Sequence, residues 1–326
     1  MTSFLHLALG RSAVDRDYLS RTRPELFDEL WANELTRVLV VHDGKTLLQA
    51  DASGDAIPAL RLHPIDQVPS AQLRAYLGKS TEAATDLEFG DQPVGTPVVL
   101  AVLGDNSANQ LEPDRSKWHE LRRNGAGLSD RDAGLFTQAL ALANWHETHQ
   151  YCPRCGTPTM VTTGGWVRKC LKDETELYPR TDPAIICAVV DHQDRLLLGS
   201  QASWDENRWS VLAGFVEPGE SLSAAVIREV FEESGVVVEH PEYLGSQAWP
   251  FPYSLMTGFT ARVAAGHEPH FVRPDGIEIE RLRWFSRDEL LAETHQLLLP
   301  GRVSIARALI EHWYGGPIQD ASERSR

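Results

Sequence analysis

No stretch of this chain approaches the roughly 18 consecutive apolar residues that a membrane-crossing helix needs. Residues 1–10 also lack the basic start and cleavage site of an export signal, so the chain is expected in the cytoplasm, with no membrane partner. Positive charge is scarce: 31 lysines and arginines stand against 46 aspartates and glutamates, a formal net charge of -15. This balance argues against broad electrostatic binding to nucleic acid, and any phosphate-bearing ligand must be met locally, by metal ions or a few placed side chains. Cysteine is scarce too. Four in 326 residues do not make a disulfide scaffold, so their spacing matters more than their number. There is no internal repeat and no low-complexity block.

What is present reads as several modules. Residues 1–128 mix short β-like runs, at 36–42 and 97–103, with Gly- and Pro-containing connections, which predicts a small α+β domain carrying no recognisable chemistry. Apolar residues recur at helical spacing across 129–150, placing a long amphipathic helix that leads into the first cysteine pair. A buried strand is expected over 184–190, with a hairpin partner at 195–199 and further strands at 209–212, 243–247, 255–263 and 281–285. Helices are expected over 222–234 and 302–313. A mixed sheet with helices on its faces is the natural architecture. Residues 317–326 are polar and expected to fray.

The stretch 214–236 is the most informative. Ser221 is a plausible N-cap for the helix 222–234, and Gly235 stands where a helix ends in a left-handed residue. Glu229, Glu232 and Glu233 are separated by steps of three and four, which puts all three on one face, with Leu222, Val226 and Val230 on another. Three carboxylates within one turn raise each other's pKa unless something positive neutralises them. Mg²⁺ or Mn²⁺ would do so, because hard divalent ions prefer oxygen ligands and keep positions open for substrate phosphates. Arg228 can pair with Glu232 or reach back to Glu220, leaving Glu229 and Glu233 as the main metal ligands. A solvated, Glu-rich face is the other reading of such a helix.

The full spacing decides between them. Gly214, Glu220, Arg228, Glu229, Val230, Glu232, Glu233, Gly235 and Val236 match G-x5-E-x7-R-E-U-x-E-E-x-G-U without a departure. This pattern resembles the Nudix box, and the resemblance implies an α/β/α sandwich that hydrolyses a nucleoside diphosphate linked to another moiety. Downstream, the segment from Ser246 to Ser254, S-Q-A-W-P-F-P-Y-S, is similar to the S-Q-P-W-P-F-P-x-S signature of the NADH pyrophosphatase branch. Read alone, it is a rigid aromatic turn or a stacking surface for a flat ring. The similarity extends through 145–152 and 178–180 and covers about residues 130–313, with one departure, Ala248 for proline.

The resemblance implies that Gln247, Ala248, Trp249, Pro250, Phe251, Pro252, Tyr253 and Ser254 line a nucleotide pocket, with Tyr178 and Ala306 as further contacts. It also implies that Glu278 completes the metal site and that Ala213 offers its backbone carbonyl to a metal. Taken alone, Glu278 could equally be a surface glutamate. A gapped alignment brings Arg122 to a family arginine that reaches substrate from the N-terminal domain. Two or three Mg²⁺ or Mn²⁺ ions would be held by Glu229, Glu233 and Glu278, with help from Glu232 and Ala213.

Cys152-Pro-Arg-Cys155-Gly has metal-knuckle spacing, and Cys170 follows at the interval expected for a second pair. Its partner position holds Asp173. In the family these four positions form a structural zinc ribbon. Three thiolates and one carboxylate can still bind Zn²⁺; the alternative is a ribbon without metal, held by packing around Trp166. Cys187 reads as a core residue, and His146 and His149 as helix-end residues.

The expected organisation is therefore an N-terminal domain over 1–128, a linking helix and zinc-ribbon-like module over 129–180, a Nudix domain over 181–315 and a flexible tail over 316–326. The expected activity is hydrolysis of NADH or NAD to nicotinamide mononucleotide and AMP, extending to NAD-capped RNA 5′ ends, by a homodimer. Rival readings are a Nudix hydrolase of ADP-ribose or an NAD adduct, and a non-catalytic nucleotide sensor.

Overall fold

A computed structural model describes residues 4–49, 58–268 and 272–319, and the described chain divides into two compact units. One comprises residues 4–10 with 182–248 and 254–319; the other comprises 11–181 with 249–253. The last seven residues of the expected tail, 320–326, lie outside the described residues.

The first unit is built on strand Asp182–Val190, which pairs in parallel with Ser254–Val263 along its whole length. On its other side it meets Leu212–Phe215 and then, through a hairpin, Leu196–Ser200, which carries Arg281–Phe285 at the edge. Val238–Trp249 lies beside Ser254–Val263 at the opposite edge. Side chains of the central strand alternate between two separate cores. Ile185, Cys187 and Val189 pack with Val226 and Val230 of helix Leu222–Ser234. Ile186, Ala188 and Val190 pack with Leu309, Ile310 and Trp313 of helix Ile305–Tyr314. Both sheet faces are covered, which explains the unbroken apolar run and yields the expected α/β/α sandwich with a mixed sheet.

Local chemistry moves several expected boundaries. Ser210 makes only an isolated bridge to Gly199, and regular pairing starts at Leu212 rather than at residue 209, because Trp209 and Val211 enter the core. The final helix starts at Ile305 rather than 302, because Ser304 caps it by accepting from the Ala306 N–H at 3.2 Å. Residues 317–319 do not fray: Ile318 is buried and its N–H donates to Glu311 Oε1 at 3.1 Å. The chain start, expected in the N-terminal domain, packs here instead, with Leu7 in the core and the Phe4 ring edge-on to His312.

The second unit holds a five-stranded sheet in the order Val14–Asp15, Leu73–Ser80, Pro97–Val102, Arg37–Val41, His63–Pro64. Arg37–Val41 and Pro97–Val102 run parallel. Helix Asp130–Thr148, capped by Ser129, packs on Arg37–Val41 and Leu73–Ser80, so the helix assigned to the linking module is part of the covering of this sheet. A three-stranded sheet, Thr159–Thr162, Val167–Cys170 and Glu176–Leu177, follows it. Among the described residues no helix is long and apolar enough to cross a membrane.

Candidate active site

Helix Leu222–Ser234 has the bounds expected of it. The Ser221 side chain accepts from the Ala224 N–H, and Gly235 takes φ 71°, a conformation cheap only for glycine. Ala225, Val226 and Val230 are fully buried, and each valine contributes roughly 1.5–3 kcal/mol relative to exposure. Leu222 is not part of that stripe. It is 37% exposed, because it occupies the first turn, beyond the sheet face.

The glutamates of this helix separate by environment. Arg228 donates to Glu220 through Nε and Nη2, both at 2.8 Å, to Glu232 at 2.8 Å and to the Phe215 carbonyl at 3.0 Å. It therefore braces residues 215–220 and holds Glu232 outward; the expectation that Glu232 shares a face with the other two is met only in part, since its side chain is 56% exposed. Glu229 lies against the Gly214 backbone and, with Glu278, Glu217, Ala213 and Ser254, lines a cavity of about 340 Å³. Burial and the neighbouring charges of Glu232 and Glu278 raise its pKa against the pull of Arg228.

Glu233 is the most perturbed carboxyl. It is 4% exposed, and its Oε2 is buried with no hydrogen-bond partner. Its pKa is pushed up to about 8, first by burial and then by the charges of Glu229, Glu278 and Asp275; the backbone N–H of Ala213 opposes the shift. Such a group is stable as a charge only beside a cation. Oxygen donors with an orphaned buried lone pair fit a hard divalent ion, which Glu229, Glu233 and Glu278 could hold. Ala213 meets Glu233 through its N–H, in addition to any role for its carbonyl.

Asp275 was not singled out in the sequence. Its carboxylate accepts from the N–H groups of Ile277, Glu278 and Ile279 at 3.2, 3.1 and 2.8 Å, fixing the turn that presents Glu278. An Asp-Gly pair at 275–276, with Gly276 at φ 73°, is the turn signal that could have found it.

In the second unit, the aromatic segment forms a compact group of its own. Trp249 and Phe251 meet edge to face at 4.9 Å, and the Arg122 guanidinium stands 4.2 Å from the Phe251 ring centre and 5.4 Å from that of Trp249. The Arg180 guanidinium stands 5.5 Å from the Tyr253 ring. Asn144 Nδ2 donates to the carbonyls of Pro250 and Pro252, both at 3.0 Å, and so fixes the loop. Asn144 was also missed, though it stands polar among the apolar positions of its helix.

The ribbon residues converge. Donor atoms of Cys152, Cys155, Cys170 and Asp173 lie within 4.8 Å of one another, with Cys155 and Cys170 sulfurs 3.6 Å apart. Gly156 takes φ 69°, as the knuckle turn requires. Asp173 is held at about 2, first by its hydrogen bond with Cys170, so it is a carboxylate ready for a cation. Trp166 does not serve as a ribbon core: its Nε1 donates to the Tyr76 carbonyl at 2.8 Å and its ring lies 3.6 Å from the Arg21 guanidinium. His146 lies in the last turn of its helix and His149 caps it, as expected; His146 is also buried, bonded to the Gly165 carbonyl at 2.8 Å and facing Arg168 at 3.0 Å. Cys187 is fully buried in the core, as expected.

Comparison with known proteins follows these divisions. The NUDIX domain family matches residues 180–305, the NADH pyrophosphatase-like rudimentary NUDIX domain residues 35–145, and the NADH pyrophosphatase zinc ribbon domain residues 147–178. The NAD-capped RNA hydrolase NudC of Mycobacterium tuberculosis (strain ATCC 25618 / H37Rv) is 44% identical, over 82% of this chain and 90% of its own. This chain belongs to the NADH pyrophosphatase family of Nudix hydrolases. The N-terminal sheet, expected to carry no recognisable chemistry, is thus the family's rudimentary NUDIX domain. The NAD-capped RNA hydrolase NUDT12 of Homo sapiens is 39% identical, over 57% of this chain and 42% of its own. A NUDIX hydrolase from Nitrosomonas europaea has a crystal structure matching with a TM-score of 0.41 at 24% identity, over 52% of this chain and 94% of that one.

Not every position implied by the family resemblance presents its side chain. Gln247 of this Nudix hydrolase is 1% exposed; its Nε2 donates to the Val303 carbonyl and its Oε1 accepts from the Ile305 N–H, both at 2.6 Å. Its amide is consumed in joining strand to helix. Ala306 is 3% exposed within the core beside that junction, and Ala248 is half-buried. Tyr178 is 64% exposed, with its hydroxyl donating to Glu176 at 2.6 Å.

Proposed function

We propose that this enzyme hydrolyses the pyrophosphate bond of NADH or NAD, giving nicotinamide mononucleotide and AMP, and removes NAD caps from RNA 5′ ends. The observation that carries the reading is Glu233: a buried carboxyl oxygen without a partner, under the charges of Glu229 and Glu278, which line one cavity. The relatives NudC and NUDT12, both named NAD-capped RNA hydrolases, support the choice of substrate.

Glu229, Glu233 and Glu278 would hold Mg²⁺ or Mn²⁺, which when bound neutralises phosphate charge and lowers the pKa of an attacking water. A P–O bond to the bridging oxygen breaks, water supplies the oxygen gained by phosphorus, and its proton passes to a carboxylate of this set. Arg228 keeps residues 215–220 in place beside it. In the aromatic segment, Trp249, Phe251 and Tyr253, with Arg122 and Arg180, supply flat faces and positive charge suited to a nicotinamide or adenine nucleotide.

The same reading places Zn²⁺ on Cys152, Cys155, Cys170 and Asp173, two copies of the chain in the working enzyme, and the enzyme in the cytoplasm, where its four free cysteines stay reduced. Chromatographic assay of NADH, NAD, ADP-ribose and NAD-capped RNA, with Mg²⁺, Mn²⁺ or EDTA, tests it. AMP and nicotinamide mononucleotide are expected only with metal. Turnover of ADP-ribose alone would refute the substrate, and turnover in EDTA the mechanism.

A further inference from the structure

At the end of strand Arg37–Val41 the chain turns through His42 and Asp43, and at the end of its parallel neighbour Pro97–Val102 it enters a short helix at Asp105. These are adjacent carboxyl ends of parallel strands, where open sheets gather ligands. His42 is 4% exposed, with its ring edge-on to Trp118 at 5.6 Å. Its Nδ1 meets the Leu103 carbonyl at 3.0 Å. A carbonyl can only accept, so Nδ1 carries the proton and Nε2 faces the other way.

Nε2 lies 3.3 Å from Asp43 Oδ2 and 3.5 Å from Asp105 Oδ1, yet it is buried and forms a hydrogen bond with neither. All three donor atoms lie within 4.8 Å of one another. Two ligands each about 2.0–2.1 Å from an ion, at a tetrahedral angle, stand about 3.3–3.5 Å apart. The two separations from His42 Nε2 are therefore those of neighbours around an ion. An imidazole whose other nitrogen donates to a backbone carbonyl is the usual setting of a metal-binding histidine. Asp43 is held in the turn at φ 48°, and Asp105 has Arg115 as an additional neighbour at 3.6 Å.

We propose that His42, Asp43 and Asp105 form a divalent-cation site, separate from the ribbon and the hydrolase carboxylates. One nitrogen and two carboxylate oxygens select a borderline ion of the Zn²⁺ class over Mg²⁺. The ion pins the turn at 42–45 to the start of helix Asp105–Leu111 and so clamps two neighbouring strand ends.

The test uses the full chain, stripped by chelator, dialysed against Zn²⁺ alone and assayed for bound metal. Wild type should hold one zinc more than His42→Gln, and Asp105→Asn should bind that zinc at least about tenfold more weakly, a direct ligand mattering no less than a supporting residue. Comparing each variant with wild type cancels whatever the ribbon and the glutamates hold. Asp105 is exposed, so its variant remains informative if His42→Gln fails to fold. Equal zinc content and affinity in wild type and folded Asp105→Asn would overturn the site and leave His42 a buried ring beside two aspartates.

Discussion

The Glu229 carboxyl group lies directly over the Gly214 Cα: a methyl group there would fall 2.0 Å from Glu229 Cδ and 2.2–2.3 Å from its two oxygens. A glycine of the box and its first helical glutamate are thus one mechanical unit. Absence of a side chain at one sets the position of the other.

Gly214→Ala should therefore misplace Glu229 without unfolding the unit. Displacing a reacting group by about 1 Å costs about 10²-fold in rate, and a loss of that size in kcat is expected, with overpacking costing about 1–3 kcal/mol in stability. Steady-state kinetics with a thermal melt check it; activity within threefold of wild type would sink the argument.

Glu233 gives a pH signature in the metal-free protein. Its pKa rises from the usual 4.5 to about 8 on folding, so between those values the folded chain holds a proton that the unfolded chain has lost. Stability must fall as pH rises through that window, and the contribution is gone above it. In EDTA the wild-type melting temperature should drop between pH 5 and 8.5 more than that of Glu233→Gln. Mg²⁺ should remove the difference, while the variant loses most NADH turnover. Parallel pH curves for the two proteins would contradict the assignment.

Arg228→Lys retains the charge but not the fork that reaches Glu220, Glu232 and the Phe215 carbonyl at once. Hydrogen bonds to charged groups contribute about 1.5–3 kcal/mol each, so at least one such increment of stability should be lost, with a lower kcat from a loosened 215–220 loop. A denaturant melt of the lysine variant that superimposes on wild type would show the brace to be idle.

Asp173 occupies the place of a fourth ribbon cysteine. Asp173→Cys should slow the release of Zn²⁺ to a chelator and raise the melting temperature, whereas Asp173→Ala should speed release. Identical release from all three proteins would mean that position 173 does not touch the metal.

The carboxylate helix was legible because its information is local: the Ser221 cap, the glycine at 235 and glutamates at steps of three and four are properties of one short stretch. The same holds for the ribbon, whose donors are set by turn spacing. What escaped depends on distant packing. Periodicity could not show that Leu7 crosses into the Nudix core, that Gln247 turns inward to meet Val303 and Ile305, or that Leu222 falls beyond the sheet. The turn built by Asp275 was visible only as an Asp-Gly pair, and nothing along the chain tied it to Glu233.

The Gln247 amide has a consequence for rigidity. It answers a carbonyl at residue 303 and an amide proton at 305 together, so the last helix cannot drift from its strand without stranding two main-chain dipoles in an apolar interior. The strand that leads into the aromatic segment is thus anchored close to the end that joins it, like a beam built into a wall.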